Sequence, residues 1–197
     1  VMSQYKDTAR LHLGGVPMIA SDSIDFVRHD LYTFGFGVLA FVIILLLFAF
    51  KELRWVFIPL VNCAAAGIIM IGLLGLLNWP VTVVSSNFIS LMLIITLSLN
   101  IHLIVHYREA QNRHPDWNQK QLVNDTMSKK FNPCLYTALT TIVGFGSLVV
   151  SGIRPVIDFG WMMSLGVFVA FLVSFTLFPS LLMLAKAKKG KAEKDAA

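Results

Sequence analysis

Asn100, His102 and His106 stand in LSLNIHLIVHYRE (Leu97 to Glu109), at the end of a long apolar run and just before Arg108 and Glu109. Polar groups are costly inside a bilayer and often functional when found there. His102 and His106 are four residues apart and share one helix face. Asn100 is turned from His102 by about 200° on an ideal helix, so the three make no single cluster on this helix alone. His106, beside Tyr107 and Arg108, belongs at the headgroup boundary. His102 lies about one turn deeper. There an imidazole can carry a proton, since an ordinary histidine titrates near pH ~6.5, or it can be a packing histidine; the residues leave both open. Asn100 takes up no proton near neutral pH but can hydrogen-bond across helices. Two histidines without a third ligand make no metal site.

Further along, Thr137, Thr140 and Thr141 carry hydroxyls that can bond to their own helix backbone or face a neighbour's polar group. Asp158 opens the last apolar run, as an interfacial helix-start acid or as a gating group. No Asp or Glu falls near the middle of any apolar run. Cys63 and Cys134, the two cysteines, sit in or beside such runs and read as small buried hydrophobes. Nothing resembles a nucleophile–base pair, a carboxylate pair or a metal motif, so neither an enzyme nor a cofactor is expected.

The elements that must position these residues are membrane spans. Of 197 residues, 56% are hydrophobic and 14% charged, against roughly 25% charged in a soluble domain, and the mean hydropathy is +0.73. Five apolar runs are long enough to cross a bilayer core of ~30 Å: Leu31–Phe50, Trp55–Leu77, Val81–Val105, about Phe131–Gly152 and about Asp158–Ala185. The net charge of +5 lies at the ends of these runs, not on one face as a nucleic-acid binder would place it. Twelve of the sixteen Lys and Arg fall in the KELR junction (Lys51–Arg54), the stretch Tyr107–Lys130 and the tail from Lys186. Those segments are predicted cytoplasmic and the N-terminus extracytoplasmic.

Residues 1–30 read as the end of an extracytoplasmic domain and a helix leading into the membrane. ARLHL (Ala9–Leu13) alternates like a strand, GGVP (Gly14–Pro17) reads as a turn, and SDSIDFVRHD (Ser21–Asp30) reads as a helix start. A lone strand is unstable, so its partners are expected in sequence missing from this chain or, as the alternative, in another subunit. Within the membrane domain, 31–186, the stretch 107–130 is an amphipathic cytoplasmic segment, interrupted at Pro115, with Trp117, Leu122, Val123 and Met127 on its apolar side. Residues 187–197 read as a basic cytoplasmic tail or linker.

TALTTIVGFGSLVVSGIRPVIDFGWMMSLGVFVAFLVSFTLFPSLLML (Thr137–Leu184) resembles the last two spans of a half-repeat of the resistance-nodulation-division (RND) superfamily, particularly its MMPL-type lipid exporters and the related sterol-sensing-domain proteins. FKELRWVFIPL (Phe50–Leu60), LGGVPMIASD (Leu13–Asp22) and HYREA (His106–Ala110) resemble further segments of that pattern, in the same order. The resemblance implies spans two to six of a six-span half. It therefore implies an all-α, polytopic transmembrane bundle of five spans, preceded by a remnant of an extracytoplasmic α/β porter domain. Many proton-coupled members keep Gly-x-Asp in the fourth span, and the resemblance sets Ser98, Leu99 and Asn100 in its place. The usual titrating carboxylate is thus missing.

What the resemblance implies for function is export of lipids or other hydrophobic molecules across a bacterial inner membrane, with proton-motive force as the candidate drive. Ser98, Asn100, His102, Thr140 and Thr141 are then the relay or transport candidates between the fourth and fifth spans, and His106 and Asp158 the gating or interface candidates. The expected partners are membrane lipids, a hydrophobic substrate, the other transporter half or further protomers, and periplasmic proteins. The alternative is a sterol-sensing-type regulatory or scaffold subunit that binds lipid and pumps nothing.

Overall fold

The computed structural model of the protein describes residues 18, 29, 33, 35–48, 52–79 and 88–184, and every regular element among the described residues is helical. The elements are α1 (Gly35–Phe48), α2 (Leu53–Leu76), α3 (Phe88–Arg113), α4 (Gln119–Gly146, continued by a short 3-10 turn, Ser147–Val150) and α5 (Arg154–Leu184). Four of them, α2 to α5, are long and apolar enough to cross a membrane. Of the first expected span, Leu31–Phe50, the described part is the shorter apolar helix α1. The expected strand and turn within residues 1–30, and the tail 187–197, lie outside the described residues.

Local chemistry sets the helix ends. α2 stops at Leu77, and Asn78 takes a left-handed φ of 49°. The Trp79 N–H then donates to the Leu74 carbonyl at 3.0 Å and the Asn78 N–H to Gly75 at 3.1 Å. This pair of bonds satisfies carbonyls that a helix end otherwise leaves open. Between α3 and α4 the chain turns in five residues, His114–Asn118, where the His114 and Trp117 rings stack with centroids 4.0 Å apart. α4 begins with the Asn118 N–H donating to the Gln121 side-chain oxygen at 2.9 Å. Gly152, at φ 76°, turns the chain into α5, whose second residue is Pro155, a position where a missing N–H costs nothing.

The stretch 107–130 is built from the two helices that flank it. It is the end of α3, a tight turn, and the first three turns of α4. Leu122 and Val123 are buried, and Trp117 and Met127 pack beside them.

α3 and α5 form the middle of the bundle. α5 packs against α2, α3 and α4, and α3 against α2, α4 and α5, while α2 and α4 do not meet. Trp55, Tyr107, Leu122 and Leu182 share one buried cluster, joined by Leu46 of α1. The start of α2, the α3–α4 turn and the end of α5 hence lie at one end of the bundle. Met70, Phe88, Met92, Met162 and Met163 fill the opposite end. In lipid, such packing is driven by van der Waals fit and close backbone approach. Gly160 shows that fit most sharply: a Cβ there would stand 2.7 Å from the Phe145 carbonyl oxygen and 3.0 Å from the Leu148 Cβ. α5 can lie this close to the end of α4 only with glycine at that position.

Candidate functional site

The polar residues of α3 divide between its two faces. Asn100 is fully buried and points into the α2–α3–α5 core. The Asn62 side-chain amide of α2 donates to Asn100 Oδ1 at 2.8 Å and to Ser174 Oγ of α5 at 3.1 Å. Asn62 and Ser174 are also fully buried. The node ties three helices together in an apolar interior, where a polar group without a partner is expensive. Among the described residues it is incompletely satisfied: Asn62 Oδ1 and Asn100 Nδ2 have no hydrogen-bond partner. Nothing in it titrates near neutral pH, so as it stands the node is a hydrogen-bonded clasp.

Ser98 and His102 lie on another face of α3, one turn apart. They open into a cleft of about 360 Å³ between α3 and α4, floored by Val167 of α5. Lys130, Thr137 and Thr141 line it from α4. Ile95, Leu99, Pro133 and Ala138 give it apolar walls. Thr137 donates its hydroxyl hydrogen to the Pro133 carbonyl at 3.0 Å and Thr141 to the Thr137 carbonyl at 2.7 Å. Both threonines therefore present only lone pairs to the cleft. Ser98 and His102 make no hydrogen bond and Lys130 no ion pair among the described residues.

The relay candidates thus separate. Ser98, His102 and Thr141 come together in the cleft, and Asn100 faces away from them. Thr140 is exposed outside the cleft lining and donates to the Thr137 carbonyl at 2.9 Å. His106 lies at the turn end, largely buried, with Nε2 3.6 Å from Asp125 Oδ2 of α4 and Nδ1 3.9 Å from Glu109 Oε2. Both distances exceed a hydrogen bond, so the attraction is one between charges and needs a protonated imidazole. Asp125 also holds Lys129 at 2.8 Å, and Glu109 holds Arg113 at 2.6 Å. Asp158 sits one turn into α5 and faces the exposed Arg154, Nε to Oδ1 3.4 Å. Among the described residues no three His, Cys, Asp or Glu side chains converge as metal ligands would.

Asn62 and Ser174 are the residues that sequence reasoning passed over. Asn62 carried a signal of its own, an amide in the middle of the otherwise apolar WVFIPLVNCAAAG. Its partner could not be read, because the bonds span 38 and 112 residues.

A bundle of long apolar helices with a sealed polar clasp and a side-facing cleft defines a polytopic helical membrane protein. The family model described as the MMPL family matches residues 2–196, and the chain belongs to that family. It is also 27% identical over 153 residues to a Methanocaldococcus jannaschii protein, MJ1562, whose name describes it only as a membrane protein. That match covers 78% of this chain and 39% of the relative, so the chain spans about two-fifths of the length of that protein.

Proposed function

We propose that the chain is part of one half of an RND/MMPL-type transporter that exports lipids or other hydrophobic molecules and catalyses no chemical reaction. The observation that carries this reading is the uneven cover of the bundle. Only 11% of the most apolar stretch of α4 is buried, against 39–44% for α2, α3 and α5. The partly polar cleft lies between α4 and α3. In transporters, polar groups near the midplane lie where helix bundles meet and move, and α4 offers such a face. In this reading the α3–α4 turn and both helix ends beside it are cytoplasmic, the N-terminus is extracytoplasmic, and the membrane is a bacterial inner membrane. The other half or a further protomer, and periplasmic proteins, are the partners.

If this half couples protons, His102 is the group to carry them, because Asn100 cannot. The test is lipid efflux from vesicles holding the complete transporter under an imposed pH gradient. His102→Ala should lower efflux at least about tenfold, the lower range for loss of a proton-transfer group. Near-normal efflux by that variant would remove His102 from the mechanism.

The second reading, a sterol-sensing-type lipid-binding or scaffold subunit that pumps nothing, is favoured by one observation. At Asn100 there is a hydrogen-bonded clasp, with no titrating group. The absence of protein-dependent efflux under the gradient, in wild type and variant alike, would select it.

A further inference from the structure

We infer that the α3–α4 cleft is a binding site for a single-chain amphiphile with an anionic head, of the chemistry of a long-chain fatty acid. The inference adds a ligand class to the transporter reading and depends on that reading only for the biological role of the bound molecule.

The charge balance at the turn end of the bundle comes first. Asp125 is engaged by Lys129 and faces His106, and Glu109 is engaged by Arg113. Lys130 lies next to Lys129 in sequence, lines the cleft, and has no ion pair among the described residues. Across the cleft, His102 and Ser98 sit at i and i+4 spacing on α3 with no hydrogen-bond partner there. Three donors therefore border one cavity with no hydrogen bond or ion pair to an acceptor among the described residues: an ammonium, an imidazole and a hydroxyl. Thr137 and Thr141 do not compete as donors, because their hydrogens go to their own helix. An anion is the complement of such a set.

Much of the remaining wall is apolar. Ile95, Leu99, Pro133, Ala138 and Val167 line the same cleft, which suits a hydrocarbon chain and not a free phosphate. The volume, about 360 Å³, is at the low end of ligand pockets, ~300–1,000 Å³. It suits one chain better than two.

The test uses the full chain in neutral phosphatidylcholine nanodiscs, with no ion gradient, photolabelled by a diazirine-bearing palmitate and mapped by peptide mass spectrometry. Palmitate should label the cleft stretches of α3 and α4 about fivefold more than the matching diazirine hexadecanol. Lys130→Gln should remove that preference, and Lys130→Arg should keep it. Equal labelling by acid and alcohol would overturn the inference, as would label falling chiefly on the exposed face of α4 around Tyr136 and Val143. A diazirine phosphatidic acid that labels the cleft better than palmitate would overturn the single-chain assignment. Because no transport is measured, these outcomes leave the efflux test independent.

Discussion

One helix, α3, serves two regions of opposite character. Toward α2 and α5 it presents Asn100 to a buried clasp with Asn62 and Ser174. Toward α4 it presents Ser98 and His102 to a cleft open at the side. The helical twist alone separates residues two apart into these regions. The comparison shows that a polar residue in a membrane helix has two distinct uses. Sealed against other polar groups, it holds helices in register. Left without a partner at an open cleft, it is available to a ligand or a proton.

The comparison can be broken first at Gly160. The cleft's outer wall, α4, stands on the close approach of its far end to α5. Gly160→Ala forces a methyl to 2.7 Å from the Phe145 carbonyl oxygen, and should cost about 2–3 kcal/mol, the upper range for overpacking. Equilibrium unfolding in mixed micelles measures it. The clasp comes next. Asn62→Ala removes both bonds and leaves Asn100 and Ser174 facing an apolar gap, with an expected loss of about 1–2 kcal/mol. That lies between the modest worth of hydrogen bonds within membranes and the larger cost of an orphaned buried group.

A double-mutant cycle sharpens the same point. Asn62→Leu with Asn100→Leu removes the amides together and should cost less than the sum of the single changes, by about 0.5–1.5 kcal/mol. Additivity would mean that the two amides do not hold each other. The smallest effect is expected at Thr140, whose hydroxyl bonds only to its own helix on an exposed face. Thr140→Val should stay within about 0.5 kcal/mol in stability and should leave efflux unchanged.

The pattern of apolar runs in the sequence made most of the bundle legible, because only helices with internally satisfied backbones cross lipid without a barrel. Helix ends were less legible, for a physical reason. Hydropathy marks where the membrane is, whereas α4 starts at Gln119, well before the apolar run, since the Asn118–Gln121 bond and the packing of Leu122 and Val123 sustain a helix there. Likewise α5 starts at Arg154, ahead of Asp158, because Pro155 is well placed in a first helical turn. For the candidate site, spacing separated Asn100 from His102 but could not say which face met which neighbour. The pairing of Asn100 with Asn62, and the absence of a hydrogen bond at Ser98 among the described residues, arise from how the helices pack.

The contrast between a sealed Asn100 and an open His102, two residues on, separates the two regions. It is tested most directly by thiol accessibility in a background with Cys63 and Cys134 replaced by alanine. Asn100→Cys and His102→Cys, each in native membranes, are reacted with N-ethylmaleimide and the labelling rates compared. The position-102 variant should label faster by about tenfold or more, as expected when only one site is open to reagent. Equal rates, or faster reaction at position 100, would contradict it.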